Sequence, residues 1–182
     1  VWLDQVHGTE VHRLDDPVVD LPCADASVTR QVGEGCVVMT ADCLPVLFCD
    51  KSGSVVAAAH AGWRGLHGGV LEATLMSMQV DPSEVLAWMG PAIGPEAFEV
   101  GPEVREAFAK KLGDVSAAFK PGRDDRWTAD IYLLARMTLN AVGVSNISGG
   151  GGCTFSEQDR FFSYRRASVT GRMASVIWLE DR

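Results

Sequence analysis

Five strand-length apolar runs constrain this chain more than any other feature: CVVMTA (36–41), LPVLFCD (44–50), SVVAAAH (54–60), EVLAWMG (84–90) and MASVIWLE (173–180). Short runs of this kind, rich in valine and other apolar residues, read as strands. Helical periodicity lies between them. In GLHGGVLEATLMSMQV (65–80), Val70, Leu71, Thr74, Leu75 and Met78 fall on one face, and Asp81-Pro82 stops the pattern. GPEVREAFAKKLG (101–113) has Pro102 in its first turn and Gly113 just beyond its end. TADIYLLARMTLNAVGV (128–144) repeats apolar residues at 131, 134, 135, 139 and 142, with Thr128 as the expected N-cap and Gly143 as the stop. Strands and helices intermixed in this way predict an α/β fold with a mixed sheet and flanking helices. PGRDDR (121–126) and SGGGGC (148–153) are expected to be surface loops.

The chain has no internal repeat, linker or low-complexity segment, and its 182 residues suit one compact domain over 1–182. Its 16 basic and 24 acidic side chains give a net charge of −8. A balance this acidic, without a basic run, repels phosphate backbones and argues against a nucleic-acid partner. No apolar stretch approaches the roughly 18 residues that a bilayer span requires, so no membrane partner is expected. Five cysteines, at 23, 36, 43, 49 and 153, are odd in number and lack CxxC spacing. They suggest free thiols in a reducing, cytoplasmic setting. The start VWLDQVHG shows neither an initiator methionine nor a signal-peptide pattern, as expected of a truncated or processed product that lacks an N-terminal segment.

The chemistry-bearing residues cluster around strand ends. Cys43 follows Asp42 directly after the first strand-like run, and His60 closes SVVAAAH just before AGWRG. In α/β proteins such positions face a crevice. His7 lies in the polar turn QVHGTEV; the other histidines are His12 and His67. On spacing alone Cys43 also reads as a buried core cysteine, and His7 as a hydrogen-bonding turn residue. HAGWRGLHGG sets Gly62, Gly65, Gly68 and Gly69 around Arg64 in a strand-to-helix connection. Glycine amides, a helix N-terminus and the Arg64 fork together suit a phosphate, and Trp63 offers a ring face for a base. The alternative is a tight turn with a core tryptophan and a surface arginine. FFSYRR (161–166) places Arg165 and Arg166 beside aromatics, which reads as a substrate-binding segment or as an edge strand with a solvated end.

DQVHGTEV, ADAS, MTADCLPVLF, AAAHAGWRG, GPAIGPEAFEVG and CTFSEQDRFFSYRR followed by TGRMA occur here in that order. Together they resemble the bacterial laccase-domain, or multicopper polyphenol oxidase, family. That family is also described as zinc-dependent purine nucleoside phosphorylases and as peptidoglycan-editing factors. The resemblance spans essentially the whole chain and implies a cysteine-hydrolase-like α/β fold. It also implies that His7, Cys43 and His60 are metal ligands. The chain departs from the family pattern at Glu96-Ala97, where cysteine is frequent, and at Ala167-Ser168-Val169, where an acidic residue is more usual. Asp25 and Asp130 recur in the pattern without a role that the residues themselves suggest. Asp42 reads either as a group orienting a ligand or as a cap for the following turn.

Two imidazoles and a thiolate suit zinc, with copper as the other candidate, and three protein ligands leave a fourth position for water or substrate. Zinc lowers the pKa of such a water from about 15.7 toward 7, which suits attack at C6 of adenosine. The resemblance implies phosphorolysis of adenosine, inosine and methylthioadenosine, with adenosine deamination, on a purine nucleoside and phosphate as substrates. Cys43, His60 and Arg64 are the expected catalytic residues, and Arg64, Trp63 and Arg165 the substrate-binding ones. Four histidines are too few for a blue-copper site plus a trinuclear cluster, although one copper in the same pocket would allow weak phenol oxidation. Two readings compete: a Cys43–His60 amidase, drawn from fold-level analogy, and a purely structural zinc completed by His12 or His67. A homodimer is the candidate assembly.

Overall fold

The computed structural model describes residues 1–17 and 20–181. Eleven strands and four α-helices follow one another among them. The strands are β1 (Val11–Arg13), β2 (Ala26–Thr29), β3 (Gly35–Thr40), β4 (Leu44–Asp50), β5 (Val56–Ala61), β6 (Val85–Met89), β7 (Glu99–Val100), β8 (Phe119–Pro121), β9 (Trp127–Ala129), β10 (Asn146–Gly149) and β11 (Met173–Trp178). The helices are α1 (Trp63–Gly68), α2 (Val70–Met78), α3 (Pro102–Leu112) and α4 (Ile131–Ala141). Six strands form the main sheet in the order β1-β2-β5-β4-β6-β10. The sheet is mixed, as the interleaved pattern predicts: β1 with β2 and β6 with β10 run parallel, and the other pairs are antiparallel. The chain is a single-domain α/β protein, and no helix among the described residues is long and apolar enough to cross a membrane.

β5 is buried along its whole length, and its composition explains how. Side chains alternate between the two faces of a strand. Ala57, Ala59 and Ala61 join the larger core, together with Leu71, Leu75 and Met78 of α2. Val56 and Ala58 face a smaller core with Cys36 and Val38 of β3. Small residues on both faces let a helix layer and the β3–β11 ribbon close over one strand. His60 shares the parity of Val56 and Ala58, so it points to the ribbon side, at the end where β3 runs out.

Several expectations need correction. The stretch 65–80 is two helices, because Gly69 adopts a left-handed conformation (φ 108°) and ends α1 before α2 begins. Thr128 belongs to β9, and Asp130 caps α4 instead, its carboxylate accepting the Leu133 amide at 2.9 Å. Residues 148–153 are partly strand, because β10 pairs with β6 as far as Gly149. PGRDDR is the turn of the β8–β9 hairpin, with Pro121 still in β8. FFSYRR is a turn-rich loop and not an edge strand. All five cysteines are free thiols.

Candidate metal centre

Strand register assembles the site. In the antiparallel β4–β5 pair, Leu44 lies opposite Ala61 and Pro45 opposite His60. Cys43, one residue before β4, is thereby brought against Gly62, one residue after β5. His7 arrives from the loop ahead of β1. Ligand atoms of His7, Cys43 and His60 all lie within 4.8 Å of one another. Cys43 Sγ and His7 Nε2 are 3.8 Å apart, and the two imidazoles meet edge to face with centroids 4.8 Å apart. Tetrahedral zinc holds a nitrogen and a sulfur ligand roughly 3.5 Å apart. A borderline-soft set of one thiolate and two imidazoles at this spacing fits a metal ion. His12 on β1 is not in the group, nor is His67, whose ring packs edge-on against Phe108.

Asp25 organises two of the three ligands, a role that nothing in its local sequence signals. Its carboxylate is fully buried beside β2 and accepts His60 Nδ1 at 2.8 Å. The same two oxygens accept the backbone amides of Val6, His7 and Gly8 at 3.2, 2.9 and 2.6 Å. With Nδ1 committed to Asp25, His60 has Nε2 left for the centre. The amide contacts fix the turn that holds His7 at φ 62°, the left-handed region.

The electrostatics follow from this packing. Burial pushes the Cys43 thiol up, but contacts with His60 and His7 outweigh it and bring its pKa down to about 7. Burial works against a charged His60, yet Asp25 and the facing thiol raise its pKa to about 9. Burial also opposes ionisation of Asp25, and His60 with the loop amides still holds it below the usual carboxylate range. Thiolate and imidazolium therefore stabilise each other, in an arrangement ready to exchange protons for a cation.

Two close approaches keep the centre compact. A Cβ on Gly62 would sit 2.9 Å from His7 Cδ2 and 3.0 Å from Cys43 Sγ. One on Gly65 would sit 2.9 Å from the Gly8 carbonyl oxygen, where α1 leans on the His7 turn. The glycines of HAGWRG thus make room for the ligands.

The centre opens into a cavity of about 680 Å³. Trp63, Phe98, Ile131 and Tyr164 supply apolar wall, and Arg165 and Arg172 line it as well. A volume of this size suits a small organic ligand. Arg64 is exposed, stacks 4.7 Å over Trp63 and is not among the lining residues. Arg166 is a brace: its guanidinium donates to the carbonyls of Thr154, Phe155 and Phe161 at 2.7 Å each. The Asp42 carboxylate makes no hydrogen bond to either imidazole among the described residues and reaches across the chain instead. At φ 94° its carboxylate accepts Thr154 Oγ1 (2.6 Å), Ser163 Oγ (3.1 Å) and the Arg165 amide (2.6 Å). It ties the loop carrying Arg165 to the residue before Cys43. Asp42 and Thr154 are 112 positions apart, and only the folded chain brings them together.

Comparison with known proteins places this geometry in a family. A purine nucleoside phosphorylase from Pseudomonas aeruginosa, PA4543, is 58% identical over 181 residues, covering 99% of this chain and 74% of its own. The purine nucleoside phosphorylase YfiH of Escherichia coli is 57% identical over 179 residues, 98% of this chain and 73% of its own. Among solved structures, Neisseria meningitidis protein NMB0706 superposes with a TM-score of 0.93 at 50% identity, over 99% of this chain and 74% of that one. YlmD from Geobacillus stearothermophilus reaches a TM-score of 0.89 at 30% identity, over 100% and 73% respectively. The family profile described as multi-copper polyphenol oxidoreductase laccase matches residues 1–180, and the chain belongs to that family.

Proposed function

We propose that this protein is a zinc-dependent enzyme that phosphorolyses purine nucleosides, adenosine, inosine and methylthioadenosine among them, and also deaminates adenosine. One observation carries the reading: a His–Cys–His group with room for a fourth ligand opens into a cavity large enough for a nucleoside. The names of the relatives at 58% and 57% identity supply the reaction class. His7, Cys43 and His60 would hold the metal, which when bound supplies a Lewis acid and an acidified water. Asp25 keeps His60 in the tautomer that presents Nε2. Trp63 and Phe98 supply aromatic wall against which a purine can pack. Arg165, anchored through its amide to Asp42, brings positive charge to the same space. The test pairs metal analysis with phosphate-dependent base release from inosine and adenosine. Activity should vanish with a chelator, return with zinc, and be lost with the metal in Cys43→Ala. Full zinc occupancy in that variant would remove Cys43 from the ligand set.

A second reading has its own support. Cys43, His60 and Asp25 also form a nucleophile, base and orienting acid in series, with the thiol already lowered to about 7. A thiol hydrolase of this kind would keep its activity in a chelator and lose it on alkylation, the reverse of the zinc enzyme.

A further inference from the structure

Phosphorolysis poses an electrostatic problem for this chain. An oxygen of HPO₄²⁻ must bond to C1′ as the C1′–N9 bond breaks. The bond pair leaves with the purine, and the proton of the phosphate ends on the base. The dianion has to be held beside C1′ in a protein whose net charge is −8. General attraction is absent, so local donors must hold it. Arg64 does not line the cavity. The permanently charged cations that do are Arg165 and Arg172.

Both arginines are anchored on one short segment at the end of β3. The Arg165 amide donates to Asp42 at 2.6 Å, and Arg172 precedes Met173, which pairs with Thr40. Arg165 spends Nη1 on the Glu99 carbonyl, and Arg172 spends Nη1 on the carbonyls of Thr170 and Gly171. The remaining N–H donors of each fork have no partner among the described residues, and neither arginine meets a carboxylate there. Of the two carboxylates on the cavity wall, Asp42 is saturated by Thr154, Ser163 and Arg165, and Asp4 is solvated. Thr40 itself is 2% exposed and on the cavity wall, with a hydroxyl that has no partner among the described residues. A buried hydroxyl without a partner is costly unless a ligand satisfies it.

We propose that Arg165, Arg172 and the Thr40 hydroxyl form the phosphate subsite of this cavity, binding inorganic phosphate next to the ribose. The inference rests on the phosphorylase reading for its ligand. Two guanidinium forks are suited to a tetrahedral dianion, and a hydroxyl can donate to its third oxygen. The subsite is built on the Asp42 loop and the end of β3.

The experiment uses zinc-loaded protein and separates the two ideas. Inorganic phosphate binding is measured by phosphorus NMR line broadening or calorimetry on the wild type, R165Q, R172Q and T40V. Base release from inosine is followed in parallel against phosphate concentration. The arginine variants should weaken phosphate about ten- to hundredfold each and T40V several-fold, with the inosine KM changed less than about threefold. If the wild type binds phosphate and the variants do not, the subsite stands even where no base is released, and the phosphorylase reading alone fails. If base is released but R165Q and R172Q keep the wild-type phosphate KM, the subsite is overturned. A rise in phosphate KM produced by R64Q in their place overturns it as well.

Discussion

Asp25 Oδ1 accepts His60 Nδ1 at 2.8 Å with both side chains buried, while the same carboxylate accepts three consecutive amides from the His7 turn. One acid therefore fixes two ligands that lie 53 positions apart in the numbering (60 − 7). Asp25→Asn keeps the size but loses the charge, and metal affinity should fall about ten- to a hundredfold, the usual cost of losing such a partner. Asp25→Ala also orphans the three amides and should cost about 3–5 kcal/mol of stability. Chelator-competition titration and denaturant unfolding read the two effects separately. Unchanged affinity in Asp25→Asn would show that the metal, not the acid, orients His60.

Gly62 tests how tightly the centre is built. Its φ of −63° is accessible to any residue, so the constraint is space alone. Alanine there would put a methyl group 2.9 Å from His7 Cδ2 and 3.0 Å from Cys43 Sγ. Gly62→Ala should leave the fold intact at a cost of roughly 1–3 kcal/mol, the range for overpacking. It should also lower metal affinity at least about tenfold, since a displacement near 1 Å spoils ligand geometry. Circular dichroism with a zinc competition assay measures both. Wild-type affinity would mean that the His7 turn gives way without strain.

Legibility divides along sequence distance. β4 and β5 are visible as apolar runs because both of their faces are covered, whereas β6 reads as apolar because Leu86 and Trp88 on its exposed face are themselves apolar. β2 is buried at all four residues but reads ASVT, and two polar residues in four hide it. α4 keeps its apolar face, yet its cap lies at Asp130 rather than Thr128, because β9 claims Thr128 for pairing. His7, Cys43 and His60 are suggested by motif resemblance, and their convergence within 4.8 Å depends on the β4–β5 register. Asp25, Asp42, Thr40 and Arg172 carry no local signature. What they do depends on partners up to 123 positions away, and periodicity has no access to that.

Asp50 gives the pH test. Its buried carboxylate accepts the amides of Ser54 and Val55 at 2.7 and 3.0 Å and the hydroxyls of Ser52 and Ser54, closing the β4–β5 turn. Burial opposes ionisation, but these donors bring its pKa down to about 2 from the model-peptide value of 3.8. A lowered folded-state pKa stabilises the protein above the unfolded value, and that contribution is lost as pH falls from about 4 through about 2. Asp50→Asn should cost roughly 1–2 kcal/mol at pH 7, allowing for screening, and the difference from wild type should shrink toward pH 2. Denaturant midpoints at pH 7, 4 and 2.5 provide the comparison. A gap that stays constant across that range would assign the effect to turn geometry rather than charge.

Asp42 joins the metal centre to the loop that carries Arg165, and the two roles can be separated. The residue sits at φ 94°, a conformation that asparagine tolerates better than alanine does. Asp42→Asn should preserve the backbone path into Cys43, and with it the metal-to-protein ratio. It loses charge-assisted hydrogen bonds from Thr154, Ser163 and the Arg165 amide, each worth about 1.5–3 kcal/mol. The loop should then open to protease near residues 154–170, and the phosphate KM should rise about tenfold or more as Arg165 loses its anchor. Asp42→Ala adds backbone strain of about 1–2 kcal/mol and should disturb metal loading as well. Metal analysis, limited proteolysis and steady-state kinetics on both variants separate the effects. Loss of metal in Asp42→Asn with KM unchanged would mean that the carboxylate serves Cys43 and not the loop.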